Sequence, residues 1–173
     1  AWNIDPDRVG VFGSSSGGHV ASTLATHPTD VSAIGDSLDR ESFAPAFLLL
    51  VSPVITMKSV THAGSRDNLL GADPPAEQVQ AYSNETRVTA DTPPTFLVHA
   101  GDDEAVDPRN SITFHRALLE HEVTASLHVF SSGGHAIALR GNPGATEQWT
   151  ALAEAWLDAR GVLSTAPPSS GKH

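Results

Sequence analysis

Three short stretches of this 173-residue chain carry residues able to perform acyl transfer together. The first is Gly13-Ser14-Ser15-Ser16-Gly17-Gly18, lying between an apolar run and a stretch of helical composition. A serine becomes a nucleophile when a tight strand-to-helix turn presents its hydroxyl, and such a turn crowds side chains two residues to either side. Only Ser15 has glycine at both positions, Gly13 and Gly17; Ser16 would need one at 14, and Ser14 at 12 and 16. The competing reading is an ordinary Gly/Ser turn or a phosphate loop at a helix N-terminus. A Walker-type loop needs a lysine that this stretch lacks. In the nucleophile reading, the Ser16 backbone N–H is one oxyanion donor, a contact whose removal costs about 10²–10³ in rate. A second donor is expected from a loop upstream of the sequence.

The second stretch is Ser131-Ser132-Gly133-Gly134-His135. A general base must reach the serine from a loop free to bend inward, which two glycines permit. Most of the nine histidines fit surface or packing roles: His128 within a strand, His99 near a strand end, His115 and His121 on a helix. His19 follows the turn and is read as packing in the first helical turn. Only His135 combines a loop, a strand end and the order serine, acid, histidine. The third stretch, Gly101-Asp102-Asp103-Glu104, offers three carboxylates able to orient that histidine, with Asp107 a more distant candidate. Asp107 before Pro108 also suits the capping of a following helix. No His/Asp/Glu cluster has metal-ligand spacing, and no cofactor is implied.

The elements around these residues are read from their periodicity. Short apolar runs at Val9–Phe12, Ala46–Val51, Thr95–His99 and Thr124–Phe130 predict four strands. Helical patterns cover about 17–27 (stopped by Pro28), 75–82, 108–121 and 145–159. Trp149, Leu152, Trp156 and Leu157 lie on the apolar side of the last helix, and the two tryptophans are read as core. Alternating strands and helices predict a parallel sheet with helices on both faces, and active-site loops at the C-terminal strand ends. Ser15, the acids and His135 each follow a strand. The polar stretch 54–91 reads as a cap or wall beside the site, and the Pro/Ser/Gly-rich tail 164–173 as disordered.

Composition narrows the partners. The formal charge is −10 and the only lysines are Lys58 and Lys172, so nothing in the chain fits a phosphate backbone or an anionic membrane. No run approaches the roughly 20 apolar residues of a membrane helix. With no cysteine, disulfides and thiol catalysis drop out, while the compartment stays open.

The motifs together resemble bacterial α/β-hydrolases of the acetyl-xylan-esterase and feruloyl-esterase-like group. The resemblance is carried by Ile4–His19, by Thr92–His99 with the turn Gly101-Asp102-Asp103, and by Leu127–Phe130 leading to Gly133-Gly134-His135. It runs from about Ile4 to Leu163. It implies an α/β-hydrolase fold whose nucleophile is Ser15, whose base is His135, and whose acid is Asp103 by its spacing to Val106. The implied activity is a serine esterase acting on small acyl groups, often acetyl groups on plant-polysaccharide sugars. Two departures stand out. The family has Val-Pro after the acid, where this chain has Val106-Asp107-Pro108, and the early strands with a His-Gly-Gly oxyanion loop are expected to precede Ala1.

Residues 1–163 therefore read as the C-terminal portion of one such domain. The strand Val9–Phe12, central in a complete sheet, would have a bare edge, so poor stability or self-association of the isolated chain is expected. Two rival functions remain at this stage: a prolyl-oligopeptidase-type peptidase with the same residue order, and a non-catalytic binding module on the same fold.

Overall fold

The computed structural model describes residues 4–27, 35, 43–138 and 144–163. Its frame is a four-stranded parallel sheet in the order β1-β2-β3-β4, formed by Gly10–Ser14, Phe47–Val51, Thr95–Ala100 and Ala125–Phe130. All four strands were predicted to within one or two residues. Parallel strands need crossovers, and the first is supplied by α1 (Ser16–Thr26). Two short helices, α2 (Ala63–Leu70) and α3 (Ala76–Ala81), precede β3; α4 (Arg109–Glu120) joins β3 to β4, and α5 (Trp149–Ala159) ends the described chain.

The central strands alternate between two cores. Leu48, Leu50 and Leu97 point to one face, where Ala21 of α1 and Phe114, Ala117 and Leu118 of α4 cover them. Val51, Phe96, Val98 and Ala100 point to the other, against Ile137 and the α5 residues Trp149, Leu152, Ala153 and Trp156. The two tryptophans are core, as expected, and Trp149 also donates its ring N–H to the Ile137 carbonyl at 2.7 Å. Burial on both faces explains why β2 and β3 read as nearly unbroken apolar runs.

Two expectations need adjustment. The segment 54–91 was read with one helix, and it holds two. Helix α2 buries no residue, so its sequence carries no apolar stripe; instead His62 accepts the Ser65 N–H at its start, and Gly71 closes it at φ 87°. The last predicted helix, 145–159, begins as a 3₁₀ turn at Gly144–Gln148. The readings for Pro28 and for the tail 164–173 lie outside the described residues.

Strand β1 pairs only with β2 among the described residues. Beside that open edge Val9 is 47% and Phe12 53% exposed. Among the described residues no helix is long and apolar enough to cross a membrane.

Candidate active site

Ser15 occupies the turn from β1 into α1 with φ 55° and ψ −127°. A non-glycine residue holds such a backbone only where its surroundings impose it. Here the imposing contacts are backbone hydrogen bonds. The Ser15 N–H donates to the Val51 carbonyl (3.1 Å), and its own carbonyl accepts from Gly18 (3.0 Å) and Val54 (2.9 Å). Val54 can reach it because Ser52 turns the chain after β2 at φ 46°. As the first residue of α1, Ser16 presents an N–H with no acceptor inside the helix, beside the Ser15 hydroxyl.

The steric reason for two flanking glycines holds at one of them. A Cβ on Gly13 would lie 2.5 Å from the Gly17 carbonyl and 2.8 Å from the Gly18 Cα. A Cβ on Gly17 meets no described atom within 4 Å. The second crowded position is Gly18, where a Cβ would stand 2.5 Å from the Pro53 Cβ. Helix α1 starts one residue after Ser15, so Gly17 already faces outward while Gly18 turns in toward the chain following β2.

His135 lies past the end of β4, and the two glycines before it do different things. Gly133 takes φ 152° where a Cβ would collide with Thr146 and Ile137. Gly134 takes φ 61° and donates its N–H to Asp102 Oδ1 at 2.8 Å. The ring that follows is bound on both sides. Nδ1 stands 2.8 Å from Asp103 Oδ2 and Nε2 stands 2.8 Å from Ser15 Oγ. An ionised carboxylate only accepts, so Nδ1 carries the proton and Nε2 accepts the serine hydroxyl.

The candidate acids divide accordingly. Asp103 faces the histidine, while its Oδ1 accepts the N–H groups of Ala105 (3.0 Å) and Val106 (2.9 Å). Burial resists its ionisation; the bonds from Val106, His135 and Ala105 outweigh that and hold the carboxyl below its ordinary value. Asp102 faces the Gly134 backbone instead. Asp107 accepts the Arg109 N–H at 2.8 Å and pairs with the Arg109 guanidinium, the capping role its place before Pro108 suggested. With Asp107 standing between Val106 and Pro108, Val106 is buried and its N–H is bonded to Asp103.

His19 is buried and ties Nε2 to the Tyr82 carbonyl (2.8 Å), a packing contact between α1 and the chain after α3. His99 was read as an ordinary strand histidine, yet its ring lies fully buried against Asp103, with Nε2 3.2 Å from Oδ2. Sequence reasoning missed it because only the fold reveals that residues 99 and 103 face each other across a tight turn. Among the described residues no group of three His, Cys, Asp or Glu side chains is placed to hold a metal ion.

A parallel sheet with helices on both faces, a serine on the sharp turn after one strand, and a histidine and carboxylate after two others make this an α/β-hydrolase fold. More narrowly, the chain belongs to the BD-FAE family, whose model matches residues 1–118. It is 36% identical over 138 residues to endo-1,4-beta-xylanase B of Butyrivibrio fibrisolvens, a match covering 80% of this chain and 22% of that protein. It is 33% identical over 141 residues to the acetylxylan esterase of Xylanibacter ruminicola, covering 78% and 27%. Among solved structures, the acetyl ester-xyloside bifunctional hydrolase of Caldicellulosiruptor lactoaceticus aligns at 39% identity and a TM-score of 0.88, over 94% of this chain and 60% of that one. The chain thus spans about a quarter of the length of the two curated relatives.

Proposed function

We propose that this chain supplies the nucleophile, base and acid of a serine esterase that removes short acyl groups, acetyl above all, from carbohydrates. The observation that carries this reading is the unbroken line Ser15 Oγ, His135 Nε2, His135 Nδ1, Asp103 Oδ2, each contact 2.8 Å. The names of its relatives, one an acetylxylan esterase and one an acetyl ester-xyloside hydrolase, support the ester and the sugar.

In this mechanism His135 takes the Ser15 proton through Nε2 as Oγ attacks the ester carbonyl. Asp103 keeps Nδ1 protonated and stabilises the imidazolium. The Ser16 N–H donates to the developing oxyanion, together with a donor from outside this chain's described residues. The imidazolium returns its proton to the departing sugar hydroxyl, leaving an acyl-serine. Water, deprotonated by His135, then releases the acid. Segment 54–91 starts against the Ser15 turn, where the Val54 N–H is bonded to the Ser15 carbonyl.

The test is intact-mass labelling with a fluorophosphonate probe beside a Ser15→Ala control, followed by hydrolysis of acetylated xylooligosaccharides. Stoichiometric labelling lost in the control, with acetate release, is the expected result. A labelled protein that cleaves aminoacyl amides in preference to acetyl esters would replace the esterase reading with a peptidase one.

A further inference from the structure

Among the described residues, His99 is the one fully buried titratable side chain that the proposed reaction does not use. It ends no loop and faces no groove. Its ring lies at the C-terminal end of β3, under the turn that carries Asp103, and both of its nitrogens are engaged. Nε2 is 2.9 Å from the Val106 carbonyl, and Nδ1 is 2.8 Å from Ser111 Oγ on α4. A carbonyl can only accept, so Nε2 carries a proton. A hydroxyl can donate, so Ser111 can satisfy an unprotonated Nδ1. Burial, opposed by the Val106 bond and the nearby Asp103, holds this histidine below its ordinary value, which keeps it neutral and fixes that tautomer. The same Nε2 lies 3.2 Å from Asp103 Oδ2, the oxygen that also accepts from His135.

We infer that His99 is a positioning residue: anchored by Ser111, it holds the Val106 carbonyl, keeps its Nε2 beside Asp103 Oδ2, and so fixes the carboxylate where it meets His135. The inference rests on the reading of Ser15, His135 and Asp103 as one catalytic set. Its physical content is a count of donors. Asp103 has three hydrogen-bond donors, the backbone N–H groups of Ala105 and Val106 on Oδ1 and His135 Nδ1 on Oδ2. The single Nε2 proton of the neutral His99 ring goes to the Val106 carbonyl, and that nitrogen stands 3.2 Å from Oδ2. By holding the Val106 carbonyl, it also fixes the residue whose N–H binds Oδ1.

The charged and titratable groups facing His99 are Asp103 and His135 on one side and Asp107 beyond the turn. None of them replaces the Nε2 donor. With that N–H removed, Asp103 loses the partial positive charge 3.2 Å from Oδ2 and draws the His135 proton more strongly. The acid limb of the rate profile then moves to higher pH, while substrate binding, which His99 does not touch, is unchanged.

The experiment compares His99→Phe, His99→Gln and Ser111→Ala in the full-length protein, with p-nitrophenyl acetate and the fluorophosphonate probe. Glutamine can place an amide N–H where Nε2 stands; phenylalanine fills the space with no donor. The expected result is a kcat lowered up to about 10²-fold in His99→Phe, the scale of misplacing a reacting group by an ångström, with KM unchanged. Its acid limb rises, His99→Gln recovers most of the loss, and Ser111→Ala shifts the limb in the same direction by less. If His99→Phe does not fold, the Gln and Ala variants carry the test. Wild-type kcat and acid limb in every folded variant, or a Gln variant no better than Phe, would overturn the inference. Failure of the wild-type protein to take the probe at Ser15 would instead sink the underlying esterase reading, leaving the two failures distinguishable.

Discussion

Ser15 and His135 are 120 residues apart in the chain and 2.8 Å apart in space. The separation is bridged by the whole sheet: Ser15 follows the strand at one edge, His135 the strand at the other. Substitution at either end of this contact should remove most of the reaction. Ser15→Ala is expected to lower kcat by about 10⁶-fold and abolish phosphonate labelling, with the fold intact by circular dichroism. Labelling that persists in the variant would point to another nucleophile.

Asp102 and Asp103 serve the same loop by different means, and their variants should separate cleanly. Asp103→Asn is expected to cost about 10⁴-fold, because an amide in place of the carboxylate disfavours the Nδ1-protonated tautomer. Asp102→Ala loses only the bond to the Gly134 N–H, worth about 1 kcal/mol, and should cost no more than about tenfold. Comparable losses for the two would contradict the assignment of roles.

The glycines of the turn should not be equivalent. Gly13→Ala and Gly18→Ala push a methyl into backbone and into Pro53, and each is expected to destabilise by about 1–3 kcal/mol and to depress labelling. Gly17→Ala faces open space and should label like the wild type. Thermal melts and probe kinetics on the three variants check this ordering.

Stability should fall as the solution is acidified, in two stages. His19 and His99 are buried with values held below the ordinary 6.5, chiefly by loss of solvation. Between the folded and unfolded values only the unfolded chain binds the proton, so stability is full above about pH 6.5 and declines below it. Asp103, depressed below the ordinary 3.8, adds a contribution that is present above that value and lost as pH falls through the folded one. Melting temperatures from pH 8 to pH 3 should trace both stages. A His19→Gln variant should flatten the first.

The open edge of β1 makes a prediction about the 173-residue chain by itself. Unpaired strand edges flanked by apolar side chains recruit other strands. We propose that this chain self-associates there, through the exposed Val9 and Phe12. Sedimentation should show concentration-dependent association that Phe12→Lys weakens; a monomer with a sharp, reversible melt would refute it.

The sequence made the site legible where the chemistry demanded a local signature. A serine after a crowded glycine and a histidine after two glycines of positive φ stand out because close approach and positive φ leave few residue choices. The acid was less legible. Asp102, Asp103 and Glu104 present the same group, and which one meets His135 depends on a turn closed by Val106 N–H. Helix α2 was missed: it buries no residue and so carries no apolar stripe, and its start is capped by His62 rather than by a residue type that marks helix starts. His99 was hidden for the opposite reason: inside a strand buried along its whole length, a histidine looks like one more core residue until its neighbours are known.

The sheet that gathers the three side chains also sets when they can first meet. Ser15, Asp103 and His135 follow β1, β3 and β4 in chain order. During synthesis Ser15 therefore emerges 120 residues before the imidazole that comes to stand 2.8 Å from its hydroxyl. The two cannot meet until β4 has joined the sheet.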